Sequence, residues 1–166
     1  MKNFTRRGYL IVNANRETKL VYTFFLIFIA LGFITIGVYQ AHIIGWGMPQ
    51  IIAHYLGDES QMMFPKEFLQ LLEISHAHAF MMGIIYLTLA HILIACRIRP
   101  FWKQLLIYMG FLATAIDLAG PWLIRYVSKD FAVLLLSGWL WMWLIYAAYL
   151  IIPLFDMWII PPPPED

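Results

Sequence analysis

Residues 20–57 read LVYTFFLIFIALGFITIGVYQAHIIGWGMPQIIAHYLG, a run without a single Asp, Glu, Lys or Arg. A membrane-spanning helix needs about 20 mostly apolar residues, and residues 20–44 meet that requirement. Gly45, Gly47 and Pro49 then break the helix, because glycine frees the backbone and proline removes a donor. Residues 48–56 are left as a short interfacial segment. Outward from this run, three further stretches pass the same test. Residues 68–96 are uncharged after Glu73, residues 103–124 carry the single acid Asp117, and residues 131–155 are apolar throughout. The predicted fold class is all-α: a four-transmembrane-helix bundle forming one membrane domain over residues 1–166. A proline-rich extended tail at 160–166 should be polyproline-like, with no core of its own.

Composition agrees with that reading. The chain has 166 residues, 62% hydrophobic and 13% charged, with a mean hydropathy of +0.73. A soluble domain of this length cannot enclose so much apolar surface, so lipid must cover part of it. A net charge of +1 leaves no basic stripe for nucleic acid. One cysteine, Cys96, excludes an intramolecular disulfide, a CxxC motif and any metal site built from several cysteines. The first apolar run does not end in a small-residue cleavage site, so it reads as a retained span rather than a removed signal.

Loop charge sets the expected orientation. Lys2, Arg6, Arg7, Arg16 and Lys19 precede the first span, and Arg97, Arg99 and Lys103 lie between the second and third. Only Lys66, Arg125 and Lys129 fall on the other side. The excess of basic residues predicts both termini in the cytoplasm, of a prokaryotic plasma membrane. Trp46, Trp102 and Trp122 fall at the expected interfaces as an aromatic belt would.

Ionisable groups inside a bilayer are costly and mark functional sites by default. His42 ends the first span, Glu73, His76 and His78 sit in the outer half of the second, and Asp117 in the outer half of the third. His91 stands apart in the inner half, with Met109 as the conventional heme partner at its depth. His54 is expected at the interface, in contact with solvent. The gathering in one leaflet points to a redox or metal site. Heme b fits such a site, with His76 or His78 and His42 as axial ligands on facing helices. Gly83, Gly32 and Gly37 would thin the walls of the slot. His76 and His78 point about 200° apart on a helix, so one iron takes only one of them. Asp117 and Glu73 would then serve as proton-handling or supporting groups, acting as catalytic residues toward a quinone.

Other readings use the same residues. Glu73-x-x-His76 places a carboxylate and an imidazole one turn apart, so a non-heme copper, zinc or iron site with Asp117 and a further histidine is an alternative. On a further reading each histidine simply bonds a carbonyl within the bundle, and Asp117 pairs with Arg125, His76 or His78. Trp139, Trp141 and Trp143 alternate around their helix and read as packing and lipid-facing groups. A cofactor-free structural or assembly subunit of a respiratory complex is the rival of a different class. Expected partners are membrane lipid, other membrane subunits of a redox complex and a periplasmic cytochrome.

Residues 75–83, SHAHAFMMG, resemble the helix of heme–copper oxidase subunit I and its relatives that carries a low-spin heme ligand. The resemblance implies that Ala77-His78 is the counterpart of that helix's Ala-His pair, with His78 as the axial ligand. The expected function is that of a membrane subunit that binds heme b near the extracytoplasmic face and passes electrons between a quinol and a partner redox protein.

Overall fold

The computed structural model describes residues 10–161. Lys2, Arg6, Arg7 and residues 162–166 of the proline tail lie outside the described residues. Within them the chain forms five helices: α1 Arg16–Ile43, α2 Met48–Leu56, α3 Phe68–Ile94, α4 Pro100–Tyr126 and α5 Phe131–Trp158. Short 3₁₀ turns occupy Ile11–Asn13 and Glu59–Gln61. Four of the helices, α1, α3, α4 and α5, are long and apolar enough to cross a membrane. At 1.5 Å per residue each exceeds about 40 Å, against a hydrocarbon core of about 30 Å. The fold is a four-span all-α bundle.

Polar capping extends the helices beyond the apolar runs. The Asn15 side chain accepts the Thr18 N–H at 3.0 Å, so α1 starts at Arg16, ahead of its first apolar residue. Pro100 opens α4 at a position where its missing N–H has no partner to lose. At the start of α3, Glu67 and Gln70 form a reciprocal capping box. Gly45 (φ 89°) and Gly57 (φ 85°) turn the chain on either side of α2, in backbone territory that other residues enter only under strain. Pro121 and Pro153 lie inside α4 and α5. Three threonine hydroxyls inside the spans bond their own helix: Thr35 to Leu31 O, Thr88 to Ile84 O and Thr114 to Gly110 O, which satisfies them without water.

The α4–α5 hairpin is the centre of the bundle. Its helices approach closely because glycines meet large side chains: Gly120 lies under Leu135 and Gly138 under Ile116, the small-residue packing that drives association in lipid. Helix α3 packs on α4 and α5 around the fully buried Tyr86, Tyr146 and Tyr149. Helix α1 packs along α5, where Gly37 accommodates the Trp143 indole and Phe33 meets that ring edge-on at 5.0 Å. Among the described residues α1 and α3 share no substantial packing. Helix α2 lies across one end of α4 and α5, and Ile51, Tyr55, Leu71, Ile124, Leu135 and Trp139 form a second core beneath it.

The two ends of the bundle differ. At the end opposite α2, Ile11 N–H donates to Ala95 O at 3.0 Å, fixing the N-terminal turn beside the α3–α4 connection. Asp156, 2% exposed, accepts from the Arg97 Nε at 2.8 Å and from the Arg97 backbone N–H at 3.0 Å. The same guanidinium donates to Pro161 O at 2.8 Å. Arg97 therefore ties the end of α5 to the α3–α4 connection, beyond its expected part in loop charge. At the α2 end, Arg125 donates to Lys66 O at 2.9 Å.

Candidate functional site

Asp117, His78 and Trp139 lie in the halves of their spans nearer α2. Asp117, on α4, accepts a hydrogen bond from the Trp139 indole of α5 at 2.8 Å. Pro121 stands four residues on, so it withholds the helical N–H that the Asp117 backbone carbonyl would otherwise receive. His78 of α3 and Tyr55 of α2 lie within electrostatic reach of the Asp117 carboxylate. The carboxylate thus joins α4 to α5 by a hydrogen bond, and α2 packs on those two helices at the same end. Trp139 is 6% exposed, with Trp46 edge-on to it at 6.2 Å. Burial, with the nearby Asp117 charge adding to it, pushes the Tyr55 hydroxyl well above the usual phenol range, which keeps it a neutral donor.

The histidines divide into two groups. His78 is half-buried and its Nδ1–H donates to Ile74 O at 3.0 Å. His42, at the end of α1, donates from Nδ1 to Val38 O at 2.8 Å. In both, the bond to the helix's own carbonyl takes up Nδ1–H and leaves Nε2 as the unprotonated ring nitrogen. His91 makes the same bond to Leu87 O at 2.8 Å but stands exposed near the far end of α3, while Met109 packs in the core. His76 is exposed, beside the Phe80 ring, and Glu73 is exposed as well. Neither joins the enclosed group around Asp117. Among the described residues no cluster of three or more His, Cys, Asp or Glu side chains converges as a metal cage.

Two expectations change. His54 was expected to be solvated; it is 9% exposed, because the face of α2 that carries it turns onto the bundle. Burial and the charge of Lys66 push its pKa down to about 4, so it is neutral at pH 7. Asp117 pairs with Trp139 rather than Arg125, whose guanidinium is taken up by the Lys66 carbonyl. Tyr55 and Trp139 are the site residues that sequence reasoning passed over. For Trp139 a signal existed, since a buried indole needs an acceptor and Asp117 is an acid within a span. Ser75 is a smaller case: its hydroxyl accepts the Trp122 indole N–H at 2.8 Å, fixing α3 against α4 one turn from His78.

Fold and site together define a polytopic α-helical membrane protein with a half-buried carboxylate, bonded to an indole, toward the end that carries α2. The chain belongs to the Aq_1264_TM family, described as a transmembrane helical domain, which matches residues 45–164. That span takes in α2 to α5, and with them Tyr55, His78, Asp117 and Trp139. No curated protein and no solved structure matches the chain.

Proposed function

We propose that this membrane subunit binds heme b between His78 and His42 and passes electrons between a quinol and a partner redox protein. One observation carries the reading. Two imidazoles, the half-buried His78 of α3 and the exposed His42 of α1, have their Nδ1 atoms tied to backbone carbonyls, at 3.0 and 2.8 Å, with Nε2 left free. A tetrapyrrole needs an apolar slot, and the proposal requires it between α1 and α3, which share no substantial packing among the described residues. These two imidazoles would hold the group, and bound heme would supply a one-electron carrier. The chain's own work is to orient the imidazoles and to hold a proton at Asp117, beside His78 and under Tyr55. Quinol oxidation releases protons with its electrons, and an enclosed carboxylate next to a histidine is a suitable acceptor. Glu73 and His76, both exposed, take no part in this site. The positive-inside rule puts the Arg97 end in the cytoplasm and the α2 end outside.

The test is a reduced-minus-oxidised visible spectrum of the gently purified chain together with its iron content. A b-type α-band with about one iron per chain supports the reading. A featureless spectrum with no iron overturns it and favours a cofactor-free subunit of a membrane complex.

A further inference from the structure

The outward face of α3 carries polar groups that the site leaves unused. Glu73, His76, Phe80, Ile84, Leu87 and His91 are all exposed, and they lie along one stripe of the helix. At about 100° per residue, Glu73 and His76 stand about 60° apart, and His91 returns to the Glu73 direction about five turns on. Nothing in the chain covers this stripe among the described residues. A carboxylate and two imidazoles left against lipid tails are costly, so such groups normally face protein.

We propose that this stripe is the interface of a parallel homodimer, with a second copy of the chain related by a two-fold axis along the membrane normal. The stripe is self-complementary under that operation. Glu73 and His76 flank its midline one turn apart, so the rotation sets Glu73 of each copy against His76 of the other, twice. A carboxylate then meets an imidazole donor instead of hydrocarbon. The same rotation brings every residue to its own depth in the other copy. His91, toward the far end of the stripe, then faces a second His91. A foreign partner would have to supply all of these groups separately. Between the polar positions, Gly83 has open space where a side chain would stand, which lets the helices approach closely. The dimer is independent of the heme proposal, since neither Glu73 nor His76 belongs to that site.

Cysteine crosslinking in native membranes tests it, using the full chain with Cys96→Ser as background. Ile84→Cys should give a disulfide-linked homodimer on mild oxidation, while Leu144→Cys, exposed on α5, should not. Glu73→Lys should weaken association about tenfold, the scale of interhelical polar contacts in membranes. The swap Glu73→His with His76→Glu should restore it, an outcome that a merely structural role for either residue would not give. Equal crosslinking at both positions overturns the proposal, as does a monomeric mass in detergent. A crosslinked product with a different protein, or failure of the swap to restore what Glu73→Lys loses, also overturns it. Heme content of the same samples reads the other proposal separately.

Discussion

Replacing Gly110 by alanine tests the close packing that holds α3 and α4 together. A Cβ at Gly110 would stand 2.7 Å from Cε1 and 3.1 Å from Cδ1 of Tyr86, and 3.4 Å from Cε2 of Tyr149. Both rings are fully buried, so neither has room to swing away, and the helices must separate. Overpacking of this kind costs about 1–3 kcal/mol. Against it stands the gain from removing a mid-helix glycine, about 0.5–1 kcal/mol. The net loss is about 1–2 kcal/mol, which for a chain of this size lowers the melting temperature by about 2–8 °C. Gly32→Ala is the matched control, since nothing lies within 4 Å of the added atom; it should melt at or slightly above the parent. The assay is thermal unfolding in detergent followed by near-ultraviolet circular dichroism, which reads the aromatic cluster directly. Equal melting temperatures for Gly110→Ala and Gly32→Ala would refute the packing argument.

Three further predictions concern the polar contacts. Trp139→Phe removes the one indole that donates to Asp117 and should cost about 1–3 kcal/mol. Adding Asp117→Leu should recover part of that loss in the same unfolding assay. Asp156→Ala breaks the part-buried pair with Arg97 and should cost about 1–3 kcal/mol; Asp156→Asn should lose less, because its side-chain oxygen still accepts the Arg97 backbone N–H. His54 has its folded pKa lowered to about 4 from 6.5, so the unfolded chain binds its proton first. Its contribution to stability is therefore complete above pH 6.5 and lost as the pH falls toward 4. A pH series of melting temperatures should show that loss in the parent and a flatter profile in His54→Gln.

The spans were legible because lipid imposes a length and an apolarity that a sequence displays openly, as residues 20–57 do. Helix ends were less so: Asn15 and Pro100 extend α1 and α4 by capping chemistry that hydropathy does not register. The rotation of each helix was invisible. Hydropathy places His76 and His78 at one depth, yet α3 turns the first outward and the second toward Asp117, a choice made by packing against α4 and α5. The same blindness hid His54, since a nine-residue segment with apolar and polar groups gives no sign of which face it buries. Asp156 was missed for a different reason. It lies at the end of an apolar run where a carboxylate reads as solvated, and its partner Arg97 is far away in sequence.

The heme content of His78→Ala beside that of His76→Ala tests the central claim most directly. Both variants should insert in the membrane normally, since neither side chain anchors a helix to its neighbours. The account predicts that His78→Ala loses the b-type α-band and its iron while His76→Ala keeps both. Full heme in His78→Ala, or loss of heme in His76→Ala alone, would contradict it.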